Sequence, residues 1–174
     1  MPLKIITGDI LKQKCDILVM PAAPRTGPTS KFARTIYDTA GFDNMQKARK
    51  KIGHLSDGEA AVTPGFNLNA QYVIHVFTPE WFGGFMSEPK FLTKCYCNAI
   101  KCAVNLNAES IAFPLLGSGT NRVPLDVAEK IAVDAISGYL RAHSYSINVY
   151  LVIHPKTAKE LSESTLDLQK ETPH

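Results

Sequence analysis

Residues 110–136 read SIAFPLLGSGTNRVPLDVAEKIAVDAI and contain a strand, a glycine loop and a helix in direct succession. The run at 110–116 is apolar and has the length of a buried strand. From Pro124 onward, apolar residues recur at the spacing of one helix face, and Asp126 and Glu129 lie near the positive helix N-terminus. A strand followed by a helix is the unit from which parallel α/β sheets are built.

The same alternation of strands and helices continues along the rest of the chain. Strands are predicted at 3–7, 15–20, 60–63, 71–77, 110–116 and 147–153, and helices at 31–41, 42–53, 89–106, from 124 onward and at 156–161. The later strands are too uniformly apolar for either face to be wet, so helices should cover both faces. We therefore predict an α/β fold, a three-layer α/β/α sandwich around a mixed, mostly parallel sheet. Residues 1–162 form one domain, and 163–174 form a polar tail.

Composition and charge argue against several functional classes. The chain has 174 residues, of which 45% are hydrophobic, and a net charge of +3, which suits one globular domain. Basic residues are dispersed except for KARKK at 47–51, which we interpret as a solvated helix face, so nucleic-acid binding is not expected. No apolar run has the length of a secretory signal or a membrane span, so we expect a cytoplasmic protein without membrane contact. Cys95, Cys97 and Cys102 lack metal-ligand spacing, so we predict reduced thiols and no metal site.

The loop GSGTNR at 117–122 is the strongest chemical signal in the chain. Gly117 and Gly119 permit backbone conformations closed to other residues, and Pro124 favours the first turn of the following helix. Backbone N–H groups and the helix dipole would then face one anion, such as a phosphate. A tight turn without a ligand explains an isolated G-x-G equally well. The loop is neither a P-loop nor a dinucleotide fingerprint, because no Gly-Lys-Ser/Thr follows and Val123 stands at the third glycine.

Polar residues at two other element ends are also candidates. Asp9 follows the first strand, where its carboxylate could accept a hydrogen bond from the exocyclic amine of a base or could cap a local turn. Thr29, Ser30 and Lys31 begin a predicted helix, where hydroxyl and N–H groups could meet an anion. The alternative is that Thr29 or Ser30 caps the helix and Lys31 is solvated. Arg122 could reach the same cleft.

Taken in order, these segments resemble the macrodomains, which are ADP-ribose-binding α/β/α modules. The matching landmarks are MPLKIITGDILKQKCDILVM at 1–20, GEAAVTPGFNL at 58–68, QYVIHVFTPEW at 71–81, CYCNAIKCAV at 95–104, the stretch 110–136 and NVYLVI at 148–153. The resemblance extends from residue 1 to about residue 161 and is nearest to the bacterial type that acts on O-acetyl-ADP-ribose.

The resemblance implies an ADP-ribose site. Asp9 would hold the adenine amine, and Ile10 would add a backbone contact. The glycine loop would wrap the diphosphate and the distal ribose, although Asn121 and Arg122 stand where the family usually has an aromatic residue and a glycine. His154 stands where an aromatic residue often covers the adenine, and an imidazole can stack less extensively. The implied ligand residues of the loop are Gly117, Ser118, Gly119, Thr120, Asn121 and Arg122.

The segment after the second strand departs furthest from the family. Hydrolytic macrodomains carry N-A-A-N there, and its second Asn orients the distal ribose. Aligned without gaps, the motif falls on MPAA at 20–23, so that Ala23 replaces this Asn; with one slip it falls on PAAP at 21–24. The glycine-rich catalytic loop of the family is GPTSKFA here, at 27–33, and its acidic position falls near Ala33. Side chains in place of glycines hinder the close approach of a diphosphate to the backbone. Loss of the amide that binds the ribose weakens the binding free energy by on the order of 1 kcal/mol.

Three functions remain open at this point. The first, which the losses at 20–33 favour, is a module that binds ADP-ribose, a related nucleotide or an ADP-ribosylated protein without the usual hydrolysis. The second is a divergent hydrolase of ADP-ribosyl esters or O-acetyl-ADP-ribose, with a site rebuilt from Ser30, Lys31, Asn121 or Arg122. The third is an interaction or scaffold protein with a closed pocket and a rim stiffened by prolines. These prolines are Pro21, Pro24 and Pro28. We expect a monomer that needs no cofactor.

Overall fold

The computed structural model describes residues 2–23, 27–119 and 121–171. Along the chain the elements are β1 (Leu3–Thr7), β2 (Ile17–Pro21), α1 (Lys31–Ala40), α2 (Phe42–Ile52), β3 (Ala60–Pro64), β4 (Tyr72–Val76), α3 (Glu88–Asn105), β5 (Ser110–Phe113), α4 (Leu125–His143), β6 (Asn148–Ile153) and α5 (Pro155–Glu171). The strands of the described part form one sheet in the order β1-β6-β5-β2-β4-β3. Only the edge pair β3–β4 is antiparallel.

Helices cover both faces of this sheet. Ile17 and Val19 of β2 face one apolar cluster, which includes residues of α3 and α4. Leu18 and Met20 face the other cluster, which includes residues of α1. Because strand side chains alternate between faces, β2 has no wet side and must lie between two helical layers. The predicted three-layer α/β/α sandwich with a mixed, mostly parallel sheet is confirmed.

Asp16 fixes the start of β2 against both neighbouring strands. Its backbone N–H donates to Ser110 Oγ at 2.9 Å, and its carboxylate accepts from the Glu109 N–H at 2.7 Å. Its carbonyl oxygen accepts the N–H groups of Gln71 and Tyr72, at 2.9 and 3.1 Å. These bonds hold β2 in register with β4 and β5, so the strand ends that follow them are placed consistently.

Two predicted elements differ from the observed ones. The strand expected at 110–116 ends at Phe113, because Pro114 has no N–H to donate to a sheet ladder. The short helix expected at 156–161 is the longer α5, so residues 163–171, predicted as part of a polar tail, are helical. Ala158 and Leu161 of α5 pack against the α3–α4 cluster, which supports its first turns. The domain boundary at residue 162 stays a prediction.

None of the helices within the described ranges is both long and apolar enough to cross a membrane.

The turn between β3 and β4 depends on a close backbone approach at Gly65. The Gly65 N–H donates to the Gln71 carbonyl at 2.9 Å. A Cβ at Gly65 would lie 2.0 Å from the carbonyl oxygen of Ala70, which is backbone and cannot move aside easily. Any side chain at this position therefore forces the turn apart.

We expect Gly65→Ala to lower the free energy of unfolding by about 1–3 kcal/mol, the usual cost of overpacking. The matched control is Gly138→Ala in α4, where a Cβ meets nothing within 4 Å. There, the gain in helix propensity should raise the free energy of unfolding by roughly 0.5–1 kcal/mol. Urea denaturation of both variants measures these values, and equal effects of the two substitutions would contradict the steric explanation.

Candidate ligand-binding edge

The carboxyl ends of five parallel strands lie along one edge of the sheet. In the order β1-β6-β5-β2-β4, this edge carries Asp9, His154, the loop 117–122, Ala23 and Thr78. Open α/β sheets bind ligands in the crevice outside the carboxyl ends of their strands. The topology therefore brings together the residues that the sequence singles out, although they are far apart in the chain.

Asp9 caps a short 3-10 turn, Ile10–Lys12, that follows β1. Its Oδ1 accepts a hydrogen bond from the Leu11 N–H at 3.0 Å, so the turn-capping interpretation describes this oxygen. The Asp9 side chain is exposed, whereas Ile10 is buried. A carboxylate offers about four acceptor positions, so capping leaves capacity for a ligand donor.

His154 directly precedes α5 and lies beside the end of β1. Its Nδ1 accepts a hydrogen bond from the Lys156 N–H at 3.2 Å, and its carbonyl accepts from Ala158 at 2.9 Å. The neighbouring Ile153 carbonyl accepts from the Gly8 N–H at 3.0 Å, which ties the ends of β6 and β1 together. The exposed imidazole is thus held by helix capping, next to the turn that carries Asp9.

The loop after β5 is fastened to the rest of the edge. The Leu116 N–H donates to Tyr96 Oη at 3.0 Å. The Asn121 amide donates to the carbonyl of Thr78 at 2.9 Å and to its hydroxyl at 2.6 Å, and the Asn121 carbonyl accepts from the Trp81 N–H at 3.0 Å. Asn121 therefore joins the glycine loop to the segment after β4.

The two glycines of the loop have different roles. Gly117 has a φ of +84°, and a Cβ there would lie 2.7 Å from Cγ2 of Val123, so the position requires glycine. Gly119 has no such φ, and a Cβ there would meet nothing within 4 Å, so the prediction that Gly119 adopts a backbone conformation closed to other residues is wrong. The N–H groups of Arg122 and Val123 donate within the loop, to Gly119 at 3.1 Å and to Gly117 at 2.9 Å. These two N–H groups are unavailable to an anion. The loop therefore offers fewer backbone donors to an anion than the sequence suggests.

Ser118 and Arg122 complete the described part of this loop. The Ser118 hydroxyl donates to the Leu115 carbonyl at 2.7 Å. Arg122 is exposed and has a φ of +62°, which is uncommon for a residue with a side chain. Thr120, also predicted as a ligand residue, and Pro24 of the predicted rim lie outside the described residues.

Ser30 is the N-cap of α1. Its Oγ accepts a hydrogen bond from the Ala33 N–H at 3.1 Å, which is the capping alternative stated for this segment. Thr29 and Lys31 are exposed on either side of it. The predicted contact of these residues with an anion stays a prediction.

A buried arginine, Arg49, lies next to the end of β2 and was not among the site residues predicted from the sequence. The Arg49 side chain is only 1% exposed, and its guanidinium donates to the carbonyls of Ala23, at 2.9 Å, and of Gly53. The interpretation of KARKK as a solvated helix face is therefore wrong for Arg49, although Lys47, Lys50 and Lys51 are exposed. The available signal was its spacing, since Arg49 lies one helical turn after the buried Met45.

Comparison with known proteins places the chain in a family. The sequence profile described as Macro domain matches residues 19–132. The chain belongs to the macrodomain family. An O-acetyl-ADP-ribose deacetylase of Escherichia coli (strain K12) is 29% identical over 168 residues, which cover 95% of both chains.

Two further macrodomains support the same placement. A macro domain-containing protein of Methanosarcina mazei is 30% identical over 154 residues, which cover 88% of this chain and 82% of the relative. The solved structure of a Trypanosoma brucei macrodomain in complex with ADP-ribose has a TM-score of 0.79 and 22% identity, over 94% of this chain and 68% of that one. The last comparison shows the shared fold.

In this macrodomain, Arg49 sets the electrostatics beneath the end of β2. Burial and the nearby Arg49 charge lower the pKa of His75 to about 3, so this imidazole is neutral at physiological pH. The His75 Nε2 lies 2.9 Å from Thr63 Oγ1. Burial raises the pKa of Tyr37, and burial also lowers the pKa of Arg49. The end of β2 is thus backed by a desolvated cation and a neutral imidazole.

The depressed pKa of His75 makes stability depend on pH. Between about pH 6.5 and about pH 3, the unfolded chain binds a proton at His75 that the folded chain does not. The free energy of unfolding should therefore fall as the pH falls through this window, by up to about 1.4 kcal/mol per pH unit. In His75→Gln this contribution disappears, so urea denaturation at a series of pH values should show a flatter dependence. His54→Gln, at an exposed histidine, should keep the wild-type slope, and an unchanged slope in His75→Gln would contradict the prediction.

Proposed function

We propose that this macrodomain binds ADP-ribose, free or attached to a protein, and does not hydrolyse the ADP-ribosyl bond in the usual way. The observation that carries the proposal is the end of β2. Residues 20–33 contain no Asn, Asp, Glu or His, and the carbonyl of Ala23 accepts a hydrogen bond from buried Arg49. The name of the Escherichia coli relative and the ligand of the Trypanosoma brucei macrodomain support ADP-ribose as the ligand class.

The arrangement of the edge supports binding of an extended nucleotide. Asp9 and His154 lie at the ends of β1 and β6, and the loop around Gly117 follows β5. Adjacent strands are about 4.8 Å apart, so the ends of β1 and β2 are separated by roughly 14 Å. An adenine near Asp9, a diphosphate at the glycine loop and a distal ribose near Ala23 would follow this line.

The segment after β2, where the family's catalytic groups lie, lacks the groups that hydrolysis requires. Holding a water in line with the scissile bond can supply several kcal/mol of barrier lowering, and in proteins this role falls to carboxylates, amides or imidazoles. The acidic position of the family's loop falls near Ala33, which is buried on the core-facing side of α1. Binding contacts are therefore retained where catalytic groups are missing.

The residues considered for a rebuilt hydrolase site are partly committed elsewhere. The Ser30 hydroxyl caps α1, and the Asn121 amide is bound to Thr78. For the closed-pocket alternative, the side chains that would fill the cleft are Met20, Phe32 and Arg122. Met20 and Phe32 pack in the core on the α1 side, and Arg122 is exposed. These positions favour the binding module, which we further propose to be a cytoplasmic monomer.

Asp9→Ala should weaken ADP-ribose binding by at least about tenfold, since a hydrogen bond to a charged group contributes about 1.5–3 kcal/mol. Isothermal titration calorimetry measures the Kd. The matched control is Asp38→Ala, which removes an exposed carboxylate from the last turn of α1 and should leave the Kd unchanged. Absence of both heat and thermal stabilisation with millimolar ADP-ribose would overturn the proposed binding.

The wild-type protein should show no hydrolysis above the background without protein, either of O-acetyl-ADP-ribose or of a protein with ADP-ribose on its carboxylates. Chromatographic detection of released ADP-ribose measures both reactions. Ala23→Asn restores the ribose amide and should tighten ADP-ribose binding by on the order of 1 kcal/mol, without restoring turnover. Wild-type turnover above background would refute the loss of hydrolysis, and an unchanged Kd in Ala23→Asn would refute the ungapped alignment.

A further inference from the structure

An exposed apolar surface lies in the segment between β4 and α3, which is next to the glycine loop but contains none of the nucleotide contacts proposed above. The side chains of Phe82, Phe85 and Met86 are 65, 90 and 71% exposed. Large apolar side chains exposed together, rather than singly, are characteristic of interaction sites. We refer to these three residues as the aromatic surface.

A buried carboxylate holds the backbone of the aromatic surface in place. Glu88 accepts hydrogen bonds from the N–H groups of Phe82 at 2.9 Å, of Gly84 at 2.8 Å and of Met86. Burial alone would raise the pKa of Glu88, but these N–H groups outweigh it and bring the pKa below its ordinary value. The backbone of residues 82–86 is therefore held in one conformation. A partner would not have to order this segment on binding.

A cleft of about 390 Å³ opens beside the aromatic surface. Its lining consists of Asp57, Pro79, Glu80, Phe82, Met86, Glu88 and Phe91. Asp57 is brought there because the N–H of the following Gly58 donates to the Phe77 carbonyl, at the end of β4, at 2.9 Å. Three of the lining residues are acidic and none is basic, so the cleft is negative in a chain whose net charge is +3.

A cation already lies against the wall of this cleft. The Lys94 ammonium is 5.3 Å from the ring centroid of Phe91, a cation–π distance. The carboxylates of Asp57 and Glu80 belong to exposed residues, so they are accessible to a second cation from outside. Charge and ring chemistry together select a cationic side chain with apolar neighbours.

We propose that the aromatic surface and its cleft dock a basic segment of a partner protein. A Lys or Arg side chain of that segment enters the cleft, between the carboxylates and the rings of Phe82 and Phe91. Apolar side chains next to it cover Phe85 and Met86. This docking does not require bound ADP-ribose, although the surface adjoins the glycine loop through the bond from the Trp81 N–H to the Asn121 carbonyl.

The test uses the full chain without nucleotide and a fluorescein-labelled serine peptide with interspersed lysines and leucines. Fluorescence polarisation should show saturable binding that weakens as salt is raised, because the charges are near the surface. A peptide with glutamate in place of lysine should not bind. Chemical-shift mapping with ¹⁵N-labelled protein should place the perturbed amides at Phe82, Gly84 and Met86.

Matched variants separate the docking site from general surface effects. Phe85→Ala and Glu80→Gln should each weaken peptide binding several-fold, and the double variant by at least about tenfold, as for interface hot spots. Lys94→Met removes the protein's own cation from the ring of Phe91, where it would compete with the peptide, and should tighten peptide binding. Controls are Phe66→Ala, at an exposed ring in the β3–β4 turn, and Glu109→Gln, at an exposed acid before β5; neither should change binding.

Several outcomes would overturn the docking proposal. These are the absence of saturable binding, equal binding of the glutamate peptide, or equal losses in the control variants. Self-association of the protein that disappears in Phe85→Ala would assign the surface to a second copy instead. Thermal unfolding of each variant checks that folding is intact, and because no nucleotide is present, the result stands apart from that of the ADP-ribose experiments.

Discussion

The burial of β2 on both faces constrains every part of the ligand edge. Its four apolar residues, 17–20, divide between the two hydrophobic clusters, and its backbone pairs with β5 on one side and β4 on the other. Asp16 fixes the beginning of this strand by bonds to both neighbours. A strand held in this way cannot slip, since a shift of one residue would exchange its two faces. The residues that follow Pro21 therefore have one possible starting point.

Directly after Pro21, this macrodomain has no polar side chain that could face a ligand, and the polar group that contacts the segment is buried. The strand end offers methyl groups at Ala22 and Ala23, while the polar group that engages it, Arg49, comes from below. Desolvating a guanidinium is costly unless its hydrogen bonds are made, which the carbonyls of Ala23 and Gly53 partly provide. Burial, together with this charge, keeps His75 neutral. Arg49 and His75 therefore stabilise the end of β2 and supply no group that could react with a ligand.

Local patterns were sufficient to predict the layers of the fold, whereas most candidate residues of the edge came from the resemblance to macrodomains. Apolar runs with helix-period segments between them gave the correct layers, and Gly117 was identified from the strand–loop–helix succession around it. The contacts that define the edge were beyond local patterns. Asn121 and Thr78 are separated by 43 positions, so their bond depends on the strand order, which a single sequence does not display. Arg49 was missed because basic runs on helices are usually solvated, and Glu88 because nothing local indicates a carboxylate bound to three backbone N–H groups.

Asn121 connects the glycine loop with the segment that carries the aromatic surface. Its amide bonds to Thr78 and its backbone carbonyl to the Trp81 N–H, so one residue of the glycine loop is bonded to the segment that leads into the aromatic surface. A ligand at the loop that displaced this asparagine would break these bonds and would change the free energy of occupying the surface. Thermodynamic linkage makes the effect reciprocal, so a bound protein segment would alter nucleotide affinity by the same factor. The fold thus provides a route by which occupation of the glycine loop and occupation of the aromatic surface can influence each other.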